Sequence, residues 1–95
     1  MIRSFADRRT EAIYKQEIPQ GVPSDVVSRA LRKLILIDNA MAIADLRVPP
    51  GNRLEKLVGD RAGQYSIRVN EQWRICFVWG DDNNAYSVEF TDYHS

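Results

Sequence analysis

The sequence holds one cysteine and one histidine in 95 residues. A lone cysteine, Cys76, cannot close an internal disulfide, which favours a cytoplasmic setting. One histidine, one cysteine and scattered carboxylates make no ligand set with the usual spacing, so neither a metal nor another cofactor is expected. No apolar run reaches the roughly 18 residues that a membrane-spanning helix needs, and no membrane partner is expected. The opening Met1-Ile2-Arg3-Ser4-Phe5 lacks the apolar stretch of a signal peptide. No serine stands in a nucleophile-elbow sequence. Gly59-Asp60-Arg61-Ala62-Gly63 is followed by a strand pattern rather than a helix, which argues against a phosphate loop. Formal net charge is zero, so the overall field points neither toward nor away from nucleic acid. A 44% hydrophobic and 27% charged composition describes an ordinary globular domain, and residues 1–95 leave room for one core.

What is present is unevenly placed. Between Arg47 and Arg74 stand Arg47, Arg53, Lys56, Arg61, Arg68 and Arg74 against Glu55, Asp60 and Glu71. From Ile75 onward come Asp81, Asp82, Glu89 and Asp92, with no lysine or arginine. Ten of the 13 basic residues are arginine, whose planar fork of donors suits phosphate better than the point charge of lysine. For any single arginine the plain alternative is a solvated surface.

Periodicity divides the chain into helices followed by strands. Ile2 to Phe5 suits a short edge strand. Asp7 to Lys15 reads as a short helix capped by Asp7 and closed by Pro19 and Gly21. The main helix opens at Pro23-Ser24-Asp25, with Ser24 as the expected cap. Val27, Ala30, Leu31, Leu34, Ile35 and Met41 are expected to face a core. Val48-Pro49-Pro50-Gly51-Asn52 breaks the chain. Beyond it the period becomes two: Arg53 to Val58, then Tyr65 to Val69, Trp73 to Trp79 and Tyr86 to Phe90. This is an α+β pattern: two N-terminal helices packed on a small antiparallel sheet that ends in a three-to-four-strand meander.

Folding the first hairpin about Glu71 sets Arg68 across from Arg74. Folding the second about its acidic loop sets Trp79 against Tyr86, Phe77 against Val88, Ile75 against Phe90 and Thr91 against Arg74. Tyr93 then falls on the arginine face, with His94 beside it. Facing arginines repel, and an anion between them removes that cost. The alternative is that Glu89, diagonal to Arg74, neutralises it. Asp92, Tyr93 and His94 are three groups able to exchange a proton. With arginines to hold a phosphate, they suit cleavage of RNA, which carries its own nucleophile in the 2′-hydroxyl.

Four segments carry a resemblance: Asn52-Arg53-Leu54-Glu55-Lys56-Leu57, Gly59 to Asn70, Gln72-Trp73-Arg74-Ile75-Cys76-Phe77, and the closing Asp92-Tyr93-His94. They resemble the HigB toxins, or plasmid maintenance killer proteins, of the RelE/ParE superfamily. The resemblance implies a toxin that cleaves messenger RNA in the ribosomal A site, and the acid–base chemistry read from the residues needs no metal. It also implies a HigA-like helix-turn-helix antitoxin that binds operator DNA and represses the operon. It carries Arg74 over as the phosphate-stabilising arginine and Asp92, Tyr93 and His94 as the active-site run. Arg68, Lys56, Arg53 and Arg61 are expected to orient the RNA. Some HigB toxins have a histidine where this chain has Glu55, so the general base is Glu55 or His94. A competing reading is a ParE-like toxin that binds DNA gyrase and cleaves nothing. Another is a regulatory protein without toxic activity.

Overall fold

Asp7 sets the start of the first helix, α1 (Arg8–Tyr14). Its carboxylate accepts hydrogen bonds from the Thr10 amide at 2.8 Å and the Thr10 hydroxyl at 2.6 Å. The same hydroxyl accepts from the Phe90 amide at 2.9 Å, so the helix cap is tied to the last strand. The computed structural model describes residues 1–92. Tyr93, His94 and Ser95 lie outside the described residues.

The second helix, α2 (Ser24–Asn39), is capped by Pro23 rather than by the expected Ser24, which is its first helical residue. The Pro23 carbonyl accepts the first helical bond, from Val27 at 3.0 Å. An N-cap needs no amide donor of its own, so proline fits there. Val26, Val27, Ala30, Leu34 and Ile37 are buried along one stripe. Two expected core residues fall outside it. Ile35 is 45% exposed on the solvent side, and Met41 is 80% exposed because Ala40 turns extended and ends the helix first. Single-turn 3₁₀ segments at Ile43–Arg47 and Pro50–Asn52 lead to the sheet. Asn52 braces this passage: its buried amide donates to the carbonyls of Leu46 (3.2 Å) and Val48 (3.3 Å) and accepts from Lys33 of α2.

Four antiparallel strands lie in sequence order: β1 (Glu55–Lys56), β2 (Gln64–Arg68), β3 (Arg74–Trp79) and β4 (Ala85–Thr91). β1 is shorter than the expected Arg53 to Val58, because Arg53 sits in the left-handed region at φ 46° and cannot extend a strand. The first hairpin has the expected register, with Arg68 opposite Arg74. The second has it only at one end. Arg74 pairs with Thr91 and Ile75 with Phe90, but Val78 pairs with Tyr86 and Trp79 with Ala85. A β-bulge causes the change: Phe77 alone opposes Ser87 and Val88, and Ser87 takes φ 52°. Ala85 therefore enters the core in place of Tyr86, whose hydroxyl turns to donate to Asp82. The N-terminal segment is not a full strand. It runs parallel to the free edge of β4 through bridges Ile2–Ala85 and Phe5–Val88.

The helices cover one face of the sheet. Ile13, Leu34 and Ile37 meet Ile67, Ile75, Phe77, Val88 and Phe90, all fully buried. Trp73 stacks on Phe90 with centroids 4.4 Å apart, and the Arg9 guanidinium lies over both rings. No helix among the described residues is long and apolar enough to cross a membrane.

Candidate active site

The opposite face of the sheet is polar, yet its centre is buried. Residues directly across an antiparallel ladder share a face, which puts Glu55, Ser66, Cys76 and Glu89 in one row and Arg68, Arg74 and Thr91 in the next. Ser66 and Cys76 are 0% exposed and Arg74 is 8% exposed. A buried guanidinium must have its donors satisfied or pay heavily in desolvation. The Arg74 Nε donates to the Ser66 hydroxyl and its Nη2 to the Arg53 carbonyl, both at 2.9 Å. These partners are neutral and use two of the five N–H donors. The left-handed backbone at Arg53 lies at that carbonyl, a local strain of the sort that gathers at functional sites.

Glu89 does not neutralise Arg74. It pairs with Arg61 at 3.1 Å, and Arg61 also donates to Gln64 at 3.1 Å. Among the described residues Arg74 makes no ion pair, and its facing neighbour Arg68 makes none either. The two arginines, with Arg53, Asn70 and Glu71, line a groove of about 350 Å³. A second groove of about 470 Å³ runs past Glu55, Lys56, Asp60, Arg61 and Asp92. Asp92 is exposed and accepts from the Gln72 amide at 3.3 Å.

The structure thus brings together Arg53, Glu55, Arg61, Arg68 and Arg74 around one polar face, with Asp92 on the rim of the second groove. Lys56 is set apart from them. Its register partner is Tyr65, on the helix-covered side, although it also lines the second groove. The expectations for Tyr93 and His94 fall outside the described residues. Ser66, Glu89 and the Arg53 carbonyl were not expected as parts of the site. Ser66 was findable, because the first-hairpin register places it diagonal to Arg74.

Cys76 lies under this charge cluster. Burial pushes its thiol up to about 11, partly offset by Arg61 and reinforced by Glu89. It stays protonated at neutral pH and is no nucleophile. No group of three or more His, Cys, Asp or Glu among the described residues could hold a metal ion.

The chain as a whole has known relatives. The family model for HigB-like toxins, described as the RelE-like toxin of type II toxin-antitoxin system HigB, matches residues 3–94. The chain belongs to this family. Toxin HigB-1 of Vibrio cholerae is 43% identical over 82 residues, which cover 85% of this chain and 86% of that one. The protein named Endoribonuclease HigB from Proteus vulgaris is 35% identical over 94 residues, 99% of this chain and 100% of that one. The fold is shared with the YoeB-YefM complex from Staphylococcus aureus, at TM-score 0.63 and 21% identity over 100% of this chain and 99% of that one. As a HigB-like toxin, the chain has an α+β architecture of the RelE-like kind. Its N-terminal helices and four-stranded meander agree with the resemblance carried by its sequence segments.

Proposed function

We propose that this HigB-like toxin is a ribosome-dependent endoribonuclease that cleaves messenger RNA in the cytoplasm without a metal. Its partner is a HigA-like helix-turn-helix antitoxin, which neutralises it and carries the complex to operator DNA. One observation supports the reading above others: a buried arginine whose hydrogen bonds, among the described residues, go to neutral groups stands directly across from a second arginine, at the wall of an open groove. Such a pair favours an anion between its members, and a phosphodiester supplies one.

The reaction needs few parts. The RNA 2′-oxygen attacks phosphorus as a base removes its proton, and the 5′-oxygen leaves with a proton from an acid. The products are a 2′,3′-cyclic phosphate and a free 5′-hydroxyl. Arg74, with Arg68, stabilises the charge that builds on the phosphoryl oxygens. Glu55 and His94 are the acid–base groups, with Asp92 and Tyr93 supporting them. Arg53, Arg61 and Lys56 line the approaches for the RNA backbone.

The test is primer extension on a reporter mRNA after pulsed expression, with and without ribosomes. Wild type should give discrete cuts only with ribosomes, and His94→Ala should give none. A chain cut after Tyr93 should unfold at the wild-type temperature and cleave nothing. Glu55→Gln assigns the base: an abolished cleavage with Glu55→Gln names Glu55, an intact one names His94. Growth arrest with intact mRNA and a DNA-damage response would overturn the proposal in favour of gyrase binding.

A further inference from the structure

Lys56 lines two grooves, and one of them has no part in the site described above. This groove, of about 440 Å³, is bounded by Arg47, Leu54, Lys56 and Tyr65. Each comes from a different stretch of chain. Arg47 closes the 3₁₀ segment Ile43–Arg47, and Leu54 follows the left-handed Arg53. Lys56 and Tyr65 face each other across β1 and β2, on the side of the sheet opposite Glu55 and Ser66. Tyr65 is half-buried and rests on the fully buried Phe77, with ring centroids 6.3 Å apart and planes 25° from parallel. Its ring is therefore fixed from behind by the core. Arg47 and Lys56 are exposed, and among the described residues neither forms an ion pair. No acidic side chain lines the groove, although the whole chain is neutral.

A fixed aromatic ring beside two uncompensated cations suits a nucleobase with its phosphates: every base has a face to stack, and the cations take the backbone. The volume lies within the roughly 300–1,000 Å³ of small-ligand sites, which fits one nucleotide. The apolar surface is one ring and Leu54, too little for the apolar row of a docked peptide helix. We propose that this groove is a nucleotide subsite, in which a base of single-stranded messenger RNA stacks on Tyr65 while Arg47 and Lys56 hold the flanking phosphates. Lys56 also lines the groove of Glu55, Arg61 and Asp92. A strand cut on the arginine face can thus cross the short β1 at Lys56 and continue to Tyr65. That path rests on the proposed cleavage activity; the subsite does not.

The probe is a fluorescein-labelled 2′-O-methyl oligoribonucleotide, which lacks the nucleophile and stays uncut, followed by anisotropy. Its control is the same strand with abasic residues, equal in charge. The protein variants are Tyr65→Ala, Tyr65→Trp and Arg47→Gln, and circular dichroism checks the fold. Tyr65→Ala should bind the full strand about tenfold more weakly and the abasic strand as wild type does. Tyr65→Trp, which keeps a stacking face, should bind both strands as wild type does. Arg47→Gln should lower the slope of log affinity against log salt by about 0.7, the contribution of one phosphate contact on a single strand. Arg47 is exposed, so this variant carries the test if Tyr65→Ala does not fold. An unchanged salt slope overturns the proposal. So does a Tyr65→Ala loss that is equal on both strands, or absent from both. A loss seen only in pelleting with message-free ribosomes assigns the groove to ribosomal RNA and also overturns it. If the oligonucleotide shows both dependences while reporter mRNA stays intact on ribosomes, the subsite stands and the proposed cleavage falls.

Discussion

The two faces of the sheet are both buried at the centre, for opposite reasons. Under the helices, Ile67, Ile75, Phe77 and Phe90 leave water because they are apolar, and the Arg9 guanidinium lies over the Phe90 ring rather than among them. On the other face Ser66, Cys76 and Arg74 are as well covered, but the cover is polar: Glu89 and Arg61 in an ion pair, and the neutral Arg53 carbonyl. The first face gains stability from burial. The second spends stability to hold a cation in a fixed place, and replacing such groups by apolar ones is often neutral or better. The comparison teaches that burial alone does not mark a core; what the buried atoms are bonded to does.

The comparison can be broken most strongly at Phe77. Phe77→Ala should cost about 3–5 kcal/mol in urea unfolding, enough to unfold much of the protein. Arg74→Met, at a position buried nearly as well, should cut mRNA cleavage by about 10²–10³-fold. It should leave stability within about 2 kcal/mol of wild type, the residual cost coming from the lost hydrogen bonds to the Ser66 hydroxyl and the Arg53 carbonyl. Equal unfolding by both substitutions would erase the distinction between the faces. A third measurement uses Cys76. Its thiol ionises near 9 when unfolded and near 11 when folded, so the native state keeps the proton longer. The associated stability is complete below pH 9 and is lost as pH rises toward 11, by roughly 2–3 kcal/mol. Unfolding curves at both ends of that window should show the loss in wild type and not in Cys76→Ala. The smallest effect belongs to Ser66→Ala, at about 1 kcal/mol of stability and about tenfold in cleavage, since Arg74 keeps one of its two anchors.

Much of this was legible in the chain because side-chain alternation is strict around the first hairpin. Tyr65, Ile67 and Val69 against Trp73, Ile75 and Phe77 allow one register, and Arg68 and Arg74 must then meet. The second hairpin hid its bulge. Ser87 has no composition that announces a left-handed backbone, and Tyr86 looks like a core residue until the ladder shifts. Met41 failed for a related reason: helical spacing continues past Asn39 in the sequence, while the backbone has already turned. The partner of Arg74 was hidden because a backbone carbonyl carries no letter. Arg53 contributes through its main chain, whereas its side chain was the part that drew attention. Glu89 was read against the nearest arginine in register, and the actual partner, Arg61, arrives from a 3₁₀ turn that strand pairing cannot place.

The bulge at Ser87 is also a parity switch. Residues after it have the opposite even–odd phase from those before it, so the extra residue is absorbed opposite Phe77 while Glu89 and Thr91 keep the arginine face. Deleting Ser87 should therefore leave a regular ladder, with Val88 alone opposite Phe77 and every other pair kept. A second inserted residue, with Gly80 to Asn84 held as the turn and no further bulge, would instead carry Glu89 and Thr91 to the helix side and Phe90 into the charge cluster. Loss of Ser87 should thus be tolerated far better than gain of a residue between the acidic turn and Glu89.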